Sequence, residues 1–127
     1  MSRARSKPAP PPPIPSQELA RAAARLTLTK RAEDVLILDL RGFEGVSDFF
    51  VLATGHSEVQ VRAIADAVDE GLREQGIRPW HVEGYEARRW ILLDYVDVVV
   101  HVFHARAREY YLLDKLWGDA GRELVAD

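Results

Sequence analysis

Residues 90–103 read WILLDYVDVVVHVF and decide the fold, because two runs of β-forming residues flank a short polar step. Isoleucine, valine, leucine, tryptophan and phenylalanine suit a pleated, buried surface, whereas aspartate suits a turn. The stretch therefore predicts a β-hairpin whose two loop residues are Tyr95 and Val96. This loop sets Trp90 opposite His101.

Side chains alternate across a strand, so the predicted hairpin has two faces, and both are apolar. One face carries Trp90, Leu92, Val99, His101 and Phe103, and the other carries Ile91, Leu93, Val98, Val100 and Val102. We expect the second set to form core beneath the protein's own helices. Whether the first set is covered internally or by a partner is the functional question.

Composition limits the class of protein. The 127 residues suit one domain with one core, and 47% apolar residues are enough to fill it. A net charge of −3 argues against bulk electrostatic wrapping of nucleic acid, so little direct contact with nucleic acid is expected. The absence of cysteine excludes disulfides and thiolate chemistry. No apolar run approaches a membrane span and no secretory signal begins the chain, which predicts a cytoplasmic protein without membrane contact.

The elements outside the hairpin follow from periodicity and from helix-cap and turn residues. Helices are predicted at 17–30 after a capping Ser16, from Ser57 to Gly76, and at 105–117; strands are predicted at 34–40, 48–54 and 80–83. The first two strands are expected to pair antiparallel. The order predicts an α/β single domain, a mixed five-stranded sheet flanked by helices, over residues 16–118. Residues 1–15 predict a disordered, basic, Pro-rich tail, and residues 119–127 a loose C-terminal tail.

The sequence contains only weak matches to the motifs of catalytic sites. The Gly55-His56-Ser57 turn joins a strand to a helix, where backbone amides can bind a phosphate, but a capping serine explains it more simply. Two carboxylates on one face would be needed to hold magnesium. Asp94 and Asp97 are separated by a turn, whose backbone amides we expect them to satisfy, and Asp34 and Asp39 fall on opposite faces of their strand. Histidine spacing matches no metal motif, and His101, inside a predicted strand, is interpreted as a packed histidine. We therefore predict no enzyme, no cofactor and no metal.

Aromatic and arginine residues gather near the hairpin and the last predicted helix. Trp90 follows Arg88-Arg89, Tyr95 lies in the turn, and Tyr110-Tyr111 follow Arg108. These residue types are enriched at interface hot spots. The alternative is that they complete the core, and composition leaves the two interpretations open.

Several stretches together resemble the ribosomal silencing factor family, also called the Iojap family. They are residues 48–57 (DFFVLATGHS), 61–66 (VRAIAD), 83–84 (EG), 90–103 and 108–117 (REYYLLDKLW), and the resemblance covers about residues 17–117. It implies a nucleotidyltransferase-like core without catalytic carboxylates. It also implies a repressor that binds the large ribosomal subunit through large-subunit ribosomal protein fourteen. Such proteins block subunit joining, lower translation under nutrient limitation, and are often homodimers when free.

The resemblance also implies a protein-binding site. Carried over by residue, it consists of Trp90 as the apolar anchor, Tyr95 presenting the turn, Tyr111 on the last helix, and Leu92 and Asp94.

Two positions depart from the family pattern. Val96 stands where glycine is usual, so the turn must differ or be strained. Val59 replaces an arginine, while the neighbouring Gln60 keeps the pattern. Two alternatives remain: a nucleotide-binding or nucleotidyltransferase-like enzyme that uses the Gly55–Ser57 turn, and a homodimeric adaptor without a ribosomal role.

Overall fold

The computed structural model describes residues 14–107, 118 and 120–126. In chain order its elements are α1 (Ser16–Leu28), β1 (Glu33–Asp39), β2 (Phe49–Gly55), α2 (Glu58–Arg73), β3 (His81–Glu83), β4 (Trp90–Asp94), β5 (Val98–His104), a 3-10 turn (Ala105–Ala107) and β6 (Gly121–Val125). Most of the predicted tail 1–15 and of the predicted helix 105–117 lies outside the described residues. Among those described, no helix has the length and apolar character needed to cross a membrane.

The sheet has the order β3-β4-β5-β2-β1-β6. Only β2 and β5 run parallel, and the other neighbouring pairs, including the predicted pair β1–β2, are antiparallel. The α/β class and the mixed sheet are therefore confirmed. The prediction of five strands is wrong, because the described part of the chain has six.

The additional strand, β6, lies inside the segment that was expected to be a loose tail. It pairs with β1, where Ile37 stands opposite Glu123. Its side chains are mostly exposed, so its sequence lacks the apolar alternation that predicts a half-buried strand. Backbone pairing and the ion pair between Arg21 Nη2 and Glu123 Oε1, at 3.1 Å, hold it as an edge strand.

One face of the sheet is covered by α1 and α2, as their apolar stripes predict. Val61, Ile64, Val68 and Leu72 of α2 are buried there. The same core cluster contains the five hairpin residues assigned to the core: Ile91, Leu93, Val98, Val100 and Val102. Their predicted burial is confirmed.

The opposite face contains a smaller apolar cluster. Its buried members are Leu36, Leu38, Leu40, Leu52, Phe103 and Ala120. Phe43, Val46 and Phe50 pack against this cluster and are only partly buried. Further along this face, at β4, Trp90 is 41% exposed. Coverage of the second face is therefore uneven among the described residues.

The hairpin register differs by two residues from the prediction. Trp90 pairs with Phe103, and Leu92, not Trp90, pairs with His101. The turn is centred one residue later than expected, because Tyr95 N donates to Val98 O at 2.8 Å. A shift of two residues leaves every side chain on its predicted face, since strand alternation has a period of two.

Val96 adopts a strained conformation in this turn. Its φ is +76°, and Asp97 N donates to Tyr95 O at 2.9 Å across it, the pattern of a γ-turn with positive φ. A β-branched residue resists this conformation. Of the two expectations for Val96, an altered turn or strain, the backbone shows the strain.

The two predicted helix caps have different outcomes. Ser57 Oγ accepts a hydrogen bond from Gln60 N at 3.0 Å, which confirms the cap of α2. Ser16 is not a cap, because α1 begins at Ser16 itself and Pro15 occupies the capping position without a side-chain bond. Ser16 Oγ instead donates to Asp48 Oδ2 at 2.9 Å, which ties α1 to the residue before β2.

Candidate functional site

Trp90 is the large aromatic residue that β4 leaves partly in solvent. Its ring lies 4.9 Å from the Phe103 ring, centroid to centroid, and 5.9 Å from the His101 ring. Its indole Nε1 donates to His101 Nδ1 at 3.1 Å. Trp90 is therefore exposed at one edge and held in one orientation by the strand opposite.

Two shallow depressions on this face share Leu92, and Trp90 lines one of them. One, of about 320 Å³, is lined by Glu83, Gly84, Trp90 and Leu92. The other, of about 310 Å³, is lined by Gly45, Val46, Ser47, Phe50, Leu92, Asp94, Val99 and His101. We call the exposed edge of Trp90 together with the linings of these two depressions the hairpin surface. It offers an apolar patch with recesses that could receive apolar side chains.

Tyr95 does not present the turn to solvent, contrary to the prediction. It is 3% exposed and belongs to the core cluster on the helix-bearing face. Burial raises the pKa of its hydroxyl, which has no hydrogen-bond partner in the part of the chain that is described. The later turn explains the error, because Tyr95 continues β4 and points to the face of Leu93.

Asp94 is also buried, and its role in the structure is local. Its Oδ1 accepts a hydrogen bond from Val96 N at 2.7 Å. This agrees with the interpretation that the aspartates of this step satisfy turn amides. Leu92 is half-buried between the depressions, and Tyr111 lies outside the described residues. Of the predicted binding residues, the structure brings Trp90 and Leu92 together on a partly exposed surface.

Sequence reasoning missed Phe50 and Gly84. Phe50 reaches the hairpin surface because β2 runs parallel to β5, with Phe50 beside Val99, a pairing without a local sequence signal. Gly84 has φ of +77°, and a Cβ atom there would lie 2.1 Å from Trp90 O. Glycine therefore allows the loop after β3 to approach β4 closely. The sequence signal for this position is a single glycine in a polar loop, which can indicate a backbone with positive φ.

His101 lies behind Trp90 among aromatic rings. It is 4% exposed, its ring is 4.6 Å from Phe50 edge-on, and it stacks on Phe103 at 6.1 Å. Burial lowers its pKa to about 3, so the imidazole is neutral at physiological pH. The interpretation of His101 as a packed histidine is confirmed.

A separate polar cleft of about 550 Å³ lies where β2 and β5 end and α2 begins, and it is lined by His56, Ser57, Glu58, Arg89, His104 and Arg106. His56 Nε2 lies 2.9 Å from Glu33 Oε1. His104 Nδ1 accepts from Arg106 N at 3.1 Å. The cleft thus combines two arginines with the amino end of a helix, a setting that suits an anion.

The carboxylates identified in the sequence are not arranged for metal chemistry. Asp39 binds Arg41, whose Nη2 lies 2.6 Å from Asp39 Oδ2, and this hydrogen bond lowers the pKa of Asp39. Within residues 14–107, 118 and 120–126, no group of three or more histidines and carboxylates is placed to hold a metal ion.

These features define an α/β protein whose prominent surface is an apolar patch on a sheet. The comparisons then give the family. A family model described as "Ribosomal silencing factor during starvation" matches residues 13–127. The "Ribosomal silencing factor RsfS" of Halalkalibacterium halodurans is 49% identical over 107 residues, 84% of this chain and 92% of the relative. That of Bacillus subtilis is 46% identical over 104 residues, 82% of this chain and 88% of the relative.

A solved structure agrees with the sequence relatives. The crystal structure of a protein from Chromobacterium violaceum superposes with a TM-score of 0.78 at 32% identity, covering 90% of this chain and 95% of that one. The chain belongs to the ribosomal silencing factor family. The family's name describes a regulatory role rather than a catalytic one.

Proposed function

We propose that this chain represses translation by docking on the large ribosomal subunit. The partner on the subunit is large-subunit ribosomal protein fourteen, and the bound chain sterically prevents the small subunit from joining, which lowers translation under nutrient limitation. Family membership supports the general role. The observation that carries the docking proposal is Trp90, a partly exposed aromatic that is bonded to His101 and lines one of two apolar depressions sharing Leu92.

The hairpin surface supplies affinity by burying apolar area. A buried tryptophan contributes about 150–250 Å², so the exposed 41% of Trp90 corresponds to about 60–100 Å². At about 25 cal/mol per Å² this area is worth about 2 kcal/mol, the size of an interface hot spot. Leu92 and Phe50 line the second depression, and Leu92 also lines the depression at Trp90. A partner segment with apolar side chains fits this surface best.

The proposed mechanism requires no chemistry and no cofactor. Two of the candidate carboxylates are already engaged: Asp94 in the turn and Asp39 with Arg41. The chain would act in the cytoplasm, where ribosomal subunits join. We also propose that the free chain forms a homodimer, as the family resemblance implies.

Two assays test this function. Purified chain is sedimented with large subunits, and joining of large and small subunits is then followed by light scattering. We expect the chain to cosediment with the large subunit and to reduce joining in proportion to the fraction bound. Cosedimentation without any effect on joining would contradict the steric mechanism. A homodimer that leaves the subunits untouched would favour the adaptor alternative.

The polar cleft supports one second candidate, a nucleotide-binding or nucleotidyltransferase-like activity at the Gly55–Ser57 turn. Arg89, Arg106 and the amino end of α2 face the same space. Glu58 and the contact of His56 with Glu33 reduce its positive charge. Calorimetry with magnesium and nucleoside triphosphates decides this candidate, and the absence of heat at millimolar nucleotide would remove it.

A further inference from the structure

His101 has unequal nitrogens. Nδ1 accepts from the Trp90 indole, whereas Nε2 is buried and has no partner among the residues that are described. A neutral imidazole that accepts at Nδ1 carries its proton on Nε2. The inferred tautomer therefore leaves a buried N–H donor without an acceptor.

This arrangement is unfavourable for packing alone. A buried donor without a partner loses its hydration and gains nothing in return. The His101 ring contacts the rings of Phe50 and Phe103, and Val99 lies next to it on the same face of β5. An aliphatic side chain would fill this position without that penalty. The compensating benefit is the hydrogen bond at Nδ1, whose only donor among the described residues is the Trp90 indole.

Trp90 needs such a bond because tilted ring contacts alone leave the indole a choice of orientations. The Phe103 ring lies 4.9 Å from the Trp90 ring, centroid to centroid, with 37° between the two planes. The bond from Nε1 to Nδ1 adds a directional constraint and fixes which edge of the indole faces solvent. A side chain already ordered before binding loses less entropy when its partner arrives.

We propose that His101 is a positioning residue that holds the Trp90 indole in the orientation in which it docks. This inference rests on the proposed function, because it assigns Trp90 the role of anchor. His101 is 4% exposed, so its main effect on binding comes through the orientation of Trp90. Its loss should therefore weaken binding mainly when Trp90 is present.

The test combines two substitutions of His101 with a double-mutant cycle. His101→Leu removes the acceptor, whereas His101→Gln offers an amide oxygen in its place. Each is made in the wild-type chain and in Trp90→Phe, and affinity for isolated large-subunit ribosomal protein fourteen is measured. The indole N–H resonance of Trp90, identified by its loss in Trp90→Phe, reports the hydrogen bond directly. Thermal unfolding checks that each variant folds.

We expect His101→Leu to move the Trp90 indole N–H resonance towards that of a solvated indole and to weaken binding about threefold to tenfold. In the Trp90→Phe background the same substitution should change affinity less than twofold. His101→Gln should recover part of both effects. An unchanged resonance in His101→Leu, or an equal loss of affinity in both backgrounds, overturns the inference.

Failure of the proposed function is distinguishable from failure of the inference. If the wild-type chain does not bind the ribosomal protein, both are overturned. If the wild type binds but His101 and Trp90 are uncoupled, only the positioning role is overturned.

Discussion

Substitution of Val96 tests how much free energy the positive φ in the hairpin turn costs. The φ of +76° at Val96 is held by bonds on both sides: Asp94 Oδ1 accepts from Val96 N at 2.7 Å, and Ser47 Oγ donates to Val96 O at 2.9 Å. Strain of this kind costs about 1–3 kcal/mol and persists only where the surroundings impose it. The surrounding hydrogen bonds thus keep a β-branched residue where glycine would fit without strain.

The magnitude follows from comparing Val96→Gly with Val96→Ala. Both lose the half-buried isopropyl group, so its burial largely cancels. Alanine keeps a Cβ atom and about 1–2 kcal/mol of left-handed strain, which glycine relieves. Glycine also destabilises the folded state by about 0.5–1 kcal/mol relative to alanine, because it raises the entropy of the unfolded chain. Val96→Gly should therefore be more stable than Val96→Ala by about 1 kcal/mol, or about 4 °C in Tm for a chain of 127 residues.

The assay is urea and thermal unfolding, with Val59 as the control position. Val59 lies in the first turn of α2 and is 74% exposed, so Val59→Gly should be less stable than Val59→Ala, by up to about 1 kcal/mol. The predicted order of glycine and alanine is thus opposite at the two valines. If Val96→Ala equals or exceeds Val96→Gly in stability, the attribution of strain to this turn is refuted.

Three further changes test other parts of the structure. Ser57→Ala should lower the unfolding free energy by about 1 kcal/mol in urea titration, because Gln60 N loses its acceptor, and an unchanged midpoint would contradict this. Gly84→Ala should lower Tm markedly, because its Cβ would meet Trp90 O at 2.1 Å; wild-type stability would refute that contact. Burial lowers the His101 pKa from 6.5 to about 3. Between these pH values the unfolded chain binds a proton at His101 that the folded chain does not, so the free energy of unfolding is unaffected above pH 6.5 and falls as pH falls towards 3. The stability of wild type relative to His101→Gln should therefore fall across that window, and parallel curves would exclude the effect.

The hairpin shows why its faces were predictable although its register was not. The faces depend only on parity, so a shift of two residues left Ile91 in the core and Trp90 on the opposite side. The burial of Tyr95 depends on where the turn begins. Tyr95-Val96 and Val96-Asp97 are both plausible loop pairs by composition, and the bond from Tyr95 N to Val98 O distinguishes them.

Long-range pairing accounts for the other differences between prediction and structure. Phe50 joins the hairpin surface only because β2 lies beside β5, and nothing in residues 48–54 specifies that neighbour. Strand β6 is polar and exposed, so its place beside β1 comes from backbone pairing rather than from an apolar pattern. Ser57, by contrast, acts on its own helix, and local chemistry was enough to predict its cap.

The most direct test of the docking proposal compares two tryptophans of nearly equal exposure. Trp90 is 41% exposed on the hairpin surface. Trp80, before β3, is 40% exposed, and its ring lies 5.7 Å from the His81 ring, centroid to centroid. Affinity of Trp90→Ala and Trp80→Ala for large-subunit ribosomal protein fourteen is measured by calorimetry, with folding checked by circular dichroism. A loss of about 2 kcal/mol predicts about 30-fold weaker binding for Trp90→Ala, against less than twofold for Trp80→Ala. Full affinity in a folded Trp90→Ala variant, or equal losses in both variants, would contradict docking through the hairpin surface.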